Sequence, residues 1–201
     1  KKLSMLTVST FHSFGVKILR NSIRHLGYRE NFSIYDQTDK AALIKEVSRE
    51  LGHARDAHDF FAVANLFSDI KTGRTGWERG NEQYREFYEE YQSHLKAYNA
   101  VDFDDLIILP IILFKEHPEV LEEYREKYRY ITVDEFQDTS TSQFEMVDLL
   151  ASEHRNICVV GDDDQSIYSW RGANYENIVT FEIRYPERKE IKLEQNYRST
   201  K

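Results

Sequence analysis

The stretch Tyr130-Ile131-Thr132-Val133-Asp134-Glu135-Phe136-Gln137-Asp138 decides how this chain is read. An apolar, β-branched run of the kind that suits a pleated strand ends abruptly in two adjacent carboxylates. In open α/β sheets, ligand sites lie just beyond the carboxyl ends of the strands. An Asp-Glu pair there suits a Mg2+-nucleotide: one carboxylate holds the metal through water, and the other orients or deprotonates an attacking water. The plainer reading of these nine residues alone is a buried strand that stops in a charged turn.

Strand and helix alternate outward from this stretch. The pattern predicts strand 129–134, helix 141–151, strand 156–161, helix 175–184 and strand 189–193. Apolar strands separated by helices imply a parallel sheet covered on both faces. Upstream, Leu3 to Ser9 reads as a short strand, and a helix follows to about Leu26, where Gly27 stops it. Asp36 is placed to cap a helix over 37–51, and 56–71 is a second apolar-rich helix. The loop 73–80 is the most linker-like piece. A long amphipathic helix over 82–100 carries Tyr84, Phe87, Tyr88, Tyr91, Leu95 and Tyr98 as a core stripe. Asp102 is expected to cap 103–114, kinked near Pro110, and Pro118 suits the first turn of the next helix. The organisation is an α/β core interrupted by an all-α insertion.

Composition excludes several classes. The 201 residues are 40% hydrophobic and 31% charged, and no apolar run is long enough to span a membrane. A net charge of −8 argues against coating duplex DNA through positive charge alone. It leaves room for single-strand contacts made by stacking, for which 13 Tyr and 12 Phe are ample material. The single cysteine, Cys158, rules out a disulfide framework within the chain and favours a cytoplasmic location; its apolar neighbours place it in the core.

The second strand runs into Gly161-Asp162-Asp163-Asp164-Gln165-Ser166-Ile167-Tyr168-Ser169-Trp170-Arg171-Gly172, polar at its start and aromatic-basic at its end. The third runs into Glu194-Gln195-Asn196-Tyr197-Arg198-Ser199-Thr200. Three successive strands thus deliver polar groups to one edge of the sheet: acids, a Gln and an Arg around one phosphate chain.

These segments resemble motifs II, III and IV of the UvrD/Rep/PcrA superfamily 1 DNA helicases. Thr7-Val8-Ser9-Thr10-Phe11-His12-Ser13 resembles their motif Ib, and Asp102-Phe103-Asp104-Asp105-Leu106 a signature that precedes motif II. The resemblance implies an α/β fold with a partial RecA-like parallel sheet of the P-loop NTPase type and a large all-α inserted subdomain. Residues 1–12 plus 116–201 would belong to the first motor domain, and 13–115 to the insertion. It implies ATP and Mg2+ as cofactors of the intact protein, with Asp134 on the metal and Glu135 as general base. Gln165 would sense the γ-phosphate, Tyr197 would stack on adenine, and Arg198 would act as an arginine finger. Thr10, Phe11, His12, Tyr168, Trp170 and Arg171 fall at positions that touch single-stranded DNA. The implied activity is ATP-driven 3′→5′ translocation on single-stranded DNA with unwinding of duplex at single-strand/duplex junctions, in repair or replication.

No Gly-x-x-x-x-Gly-Lys-[Ser/Thr] occurs in the 201 residues. The chain therefore reads as an internal fragment, inactive as an ATPase by itself, that works with the remaining helicase domains and is prone to self-association through uncovered sheet edges. Two other readings stay open at this point: a single-strand-binding or protein-interaction module without catalysis, and part of a helicase–nuclease.

Overall fold

A computed structural model describes residues 6–52, 59–78, 80–161 and 176–192. Helix α1 (Phe11–Ser22) is capped by Thr10, whose side chain accepts from the Ser13 N–H, and a 3-10 turn (Ile23–Leu26) carries it to Gly27 in the left-handed region. Strand β1 (Ser33–Tyr35) leads into α2 (Gln37–Glu50). There Asp36 accepts from the N–H groups of Thr38 and Asp39, and Asp39 answers by accepting from the Asp36 N–H. Helix α3 (Phe60–Lys71) starts from Asp59. Helix α4 (Arg85–Ala97) follows a short 3-10 turn, and β2 (Ala100–Asp102) follows α4.

Next come α5 (Asp105–Glu116), α6 (Pro118–Lys127), β3 (Ile131–Val133), α7 (Thr141–Ala151), β4 (Ile157–Val159) and α8 (Glu176–Arg184). Both strand pairs are parallel: β1 with β2 (Ile34 opposite Val101), and β3 with β4 (Thr132 opposite Cys158).

Helix α5 is the hub, apolar nearly all round as a fully enclosed helix must be. Its Ile107, Ile111, Leu113 and Phe114 share a core with Ile18 of α1, Val120 and Leu121 of α6, and Met146 and Leu150 of α7. Leu106 and Leu109 close a second cluster with Leu19, Ile23, Phe32 and Val101. Helix α1 approaches α5 through Gly15, where a β-carbon would sit 1.8 Å from the Leu106 carbonyl oxygen. That carbonyl is the one Pro110 leaves without its i→i−4 donor, because proline has no N–H. The missing helical bond and the missing side chain thus meet at one point, and the buried oxygen faces the glycine Cα–H.

Helices α2, α3 and α4 enclose a separate core of Leu43, Ile44, Val47, Val63, Phe67, Phe87, Tyr91 and Leu95. Residues 13–115 thus contribute to more than one hydrophobic cluster. Helices α1 and α5 share their core with α6 and α7, while α2 to α4 form their own. The segment is also not wholly helical, since β1 and β2 pair between the two units. Strand β2 joins the cores by alternation: Ala100 enters the α2–α4 core, and Val101 enters the cluster with Leu106.

The third strand is not formed in its described part, because residues 189–192 carry no strand, and neither do residues 6–9. Among the described residues only β3 and β4 pair here, and described side chains cover one side of their sheet. Val133, Phe136, Phe144, Val147, Phe181 and Tyr185 form that covered side. Thr132 and Cys158 lie on the other, so Cys158 is exposed rather than in the core. Among the described residues nothing covers that other face, so the expected cover on both faces is seen on one.

Candidate nucleotide site and aromatic platform

Strand β3 delivers Asp134 and Glu135 to the surface at its carboxyl end, where both side chains are exposed. Glu135 takes φ 50° and ψ 45°, a left-handed conformation that costs a non-glycine residue free energy and tends to persist at functional sites. The turn is fixed from both sides. The Phe136 N–H donates to the Val160 carbonyl at 2.9 Å, and the Phe136 ring packs edge-on against Phe144 with centroids 5.4 Å apart. Burial of Phe136 forces the two preceding carboxylates outward.

Gln137, buried, donates through Nε2 to Glu135 Oε2 at 2.7 Å and so orients that carboxylate. A β-carbon at Gly161 would come within 2.6 Å of Gln137 Oε1, so the end of β4 lies directly against the residue that aims Glu135. Glycine at 161 is what allows this approach. In the sequence, the position of Gln137 two residues after Glu135 is the one signal of this contact. Downstream, Asn177 of α8 donates to the Thr139 carbonyl at 2.9 Å, and Ser140 caps α7 by accepting from the Gln143 N–H at 3.2 Å.

Asp134 and Glu135 offer exposed carboxylate oxygens of the kind a hard divalent cation such as Mg2+ takes. Asp138 Oδ1, three residues on from Glu135, is buried with no hydrogen-bond partner among the described residues. Of the other expected nucleotide residues, Gln165, Tyr197 and Arg198 lie outside the described residues, as do Tyr168, Trp170 and Arg171 of the expected DNA set.

The remaining DNA-set residues divide. Thr10 caps α1, and Phe11 is partly buried, packed against both the α5–α7 core and the β3–β4 core. His12 is half-buried and stands edge-to-face with Phe103, ring centroids 5.9 Å apart. Burial pushes the His12 imidazole below its ordinary value, with Asp104 pulling the other way, so the ring is neutral near pH 7. Phe103 is 52% exposed. It is an exposed aromatic that helical periodicity does not single out. An apolar ring between Asp102 and Asp104 was the available signal.

The turn that holds Phe103 out is clamped by buried charge. The Asp105 N–H donates to Asp102 Oδ1 at 2.9 Å, and the Asp102 N–H to Asp105 Oδ2 at 3.0 Å. Lys71 donates to Asp102 at 2.8 Å and to Asp105 at 2.9 Å. Lys40 donates to Asp104 at 2.9 Å and to Ser68 at 2.8 Å, and Tyr91 donates its hydroxyl to Asp102 at 2.9 Å. Burial opposes charge on Asp102, yet Lys71 and Lys40 overcome it and hold its carboxyl well below the usual range. Burial dominates at Asp105 and raises it to about 6, with the Asp102 charge adding to that. Helices α2, α3 and α4 are thereby tied to the start of α5.

The UvrD/REP helicase N-terminal domain family profile matches residues 1–186. The chain belongs to that helicase family. The ATP-dependent DNA helicase PcrA of Staphylococcus epidermidis is 45% identical over 209 residues, covering 100% of this chain and 29% of the relative. PcrA of Staphylococcus aureus strain Mu50 is 45% identical over 205 residues, covering 98% of this chain and 28% of the relative. The chain thus spans less than a third of the length of these UvrD-family relatives. No helix among the described residues is long and apolar enough to cross a membrane.

Proposed function

We propose that this chain is part of the first motor domain of an ATP-dependent 3′→5′ DNA helicase that tracks along single-stranded DNA and unwinds duplex at junctions. The observation that carries the reading is the end of β3, where exposed Asp134 is followed by a left-handed Glu135 whose carboxylate is held by buried Gln137, in a chain of the UvrD/REP family.

Asp134 is the residue that would hold Mg2+, which, bound with ATP, offsets charge on the phosphates. Glu135 accepts a proton from the attacking water, and Gln137 keeps its carboxylate oriented while Gly161 leaves room for that arrangement. Gln165, Tyr197 and Arg198 are assigned by resemblance to γ-phosphate sensing, adenine stacking and the arginine finger. The α2–α4 unit is the inserted subdomain. A cytoplasmic role in repair or replication fits the single cysteine and the family.

The uncovered side of the β3–β4 sheet and exposed Leu6, Val8, Tyr130 and Ile191 are where the remaining helicase domains would dock, and where the isolated chain would self-associate. Without a Gly-x-x-x-x-Gly-Lys-[Ser/Thr], the isolated chain is expected to show no ATP turnover above a Glu135→Gln control, with or without oligo-dT. DNA-stimulated turnover lost in that variant would show that the chain carries a complete ATPase.

A second reading, single-strand binding by the chain itself, is favoured by the exposed Phe103 ring beside neutral His12. Base–aromatic stacking is worth about 1–3 kcal/mol per base. Phe103→Ala is therefore expected to weaken oligo-dT binding roughly 5- to 150-fold in a fluorescence-anisotropy titration, with little change in thermal stability because the ring is exposed. An unchanged affinity removes Phe103 from the DNA path.

A further inference from the structure

His25, His117 and Glu119 come together from two separate places in the chain. His25 lies in the 3-10 turn after α1, His117 is the non-helical residue between α5 and α6, and Glu119 is in the first turn of α6. The two imidazole rings have centroids 4.9 Å apart and planes inclined at 58°. Glu119 Oε1 is 3.2 Å from His117 Nδ1 and 4.0 Å from His25 Nδ1. One ligand atom from each of the three residues lies within 4.8 Å of the other two. The separation to His25 is too long for a hydrogen bond, so one carboxylate oxygen is bonded to one imidazole and only faces the other. A cation between them would satisfy all three.

We propose that His25, His117 and Glu119 form a binding site for a divalent transition-metal ion of the Zn2+, Co2+ and Ni2+ class. Two imidazole nitrogens and one carboxylate oxygen form the borderline donor set such ions take, whereas Mg2+ and Ca2+ want oxygen alone. Metal–ligand bonds of about 2.0–2.2 Å require the donor atoms to draw in by roughly an ångström. His25 and Glu119, whose side chains are exposed, reach that by small torsional changes toward half-buried His117. With three protein ligands at the surface, water fills the remaining positions. The metal would staple the end of α1 to the corner between α5 and α6, two walls of one core. It does not depend on the ATP or DNA assignments.

The second cluster of this composition, Glu46, Glu50 and His94, is already internally matched and serves as the control. His94 Nε2 is 2.9 Å from Glu50, His94 Nδ1 is 3.0 Å from the Glu90 carbonyl, and Glu46 accepts from the Tyr98 hydroxyl at 2.5 Å.

The test is a Co2+ titration of the untagged chain at pH 7.5, followed by ligand-field absorption, with Zn2+ competition and a thermal melt beside it. The proposal expects saturation at one equivalent, displacement by Zn2+, and a melting midpoint that Zn2+ raises. His25→Ala, and His117→Asn (which keeps a side chain suited to a helix start), should each weaken binding at least roughly tenfold. His94→Ala should leave it unchanged. Absence of saturable binding, binding that survives both substitutions, or binding lost in His94→Ala would each overturn it.

Discussion

Replacing Lys71 by methionine is expected to destabilise the chain by about 3–5 kcal/mol, the usual cost of removing one partner from a buried ion pair. The Lys71 side chain is 3% exposed and contacts two carboxylates. Burial works against its charge, but Asp105 and Asp102 outweigh burial and hold the ammonium charged well above its ordinary range. Without it, two like charges remain in the interior with Lys40 as the nearest cation. Asp102 keeps Lys40 and the Tyr91 hydroxyl, whereas Asp105 loses the one side-chain donor it has among the described residues.

The pH signs of the pair differ. The Asp102 carboxyl is lowered, so its contribution is present above the ordinary carboxylate pKa and lost as pH falls. The Asp105 carboxyl is raised to about 6, so its contribution is present in acid and lost as pH rises through that value. At pH 7.5 Asp105 is thus the carboxylate whose charge costs stability. Adding Asp105→Asn to Lys71→Met should therefore recover part of the loss. Urea denaturation of both single variants and the double variant reads this directly. A single-variant loss below about 1 kcal/mol, or strict additivity, would show that the cluster is solvated rather than buried.

Gly15→Ala should cost about 3 kcal/mol or more, at or beyond the upper end for inserting a methyl group into a packed core. The new carbon would meet a backbone oxygen 1.8 Å away, not a flexible side chain, so relief requires α1 and α5 to separate. That separation would open the core shared by Ile18, Ile107, Ile111 and Met146. Ser13→Ala on the exposed side of α1 is the matched control, expected to stay within about 0.5 kcal/mol apart from its weak bond to Thr10. A Gly15→Ala protein that melts with the native one would mean that the two helices do not cross there.

What the sequence made legible was local chemistry. Asp36 and Pro118 begin α2 and α6 as their residue types require, and β3, α7, β4 and α8 fall where the alternation puts them. The Asp134-Glu135 pair emerges at a strand end as expected. Tertiary partners were less legible. Cys158 has apolar neighbours on both sides, but alternation turns it to the face that no described element covers. Helix α5 starts at Asp105 rather than 103, because Asp102 and Asp105 close a reciprocal turn first. Helical periodicity located α1 and α5 without revealing that they belong to the core of α6 and α7. Nothing local in the sequence marks Lys40 and Lys71, because the aspartates that bury them come from about thirty or more residues away.

The role proposed for Asp134 and Glu135 has one direct test: single-stranded-DNA-stimulated ATP hydrolysis by the proposed helicase that carries this chain, native and Glu135→Gln, with ATP binding measured in parallel. Loss of a general base lowers turnover roughly 10²–10⁴-fold, and nucleotide binding should persist because Asp134 is untouched. Turnover within a factor of about two of native, with ATP binding intact, would contradict the assignment of Glu135.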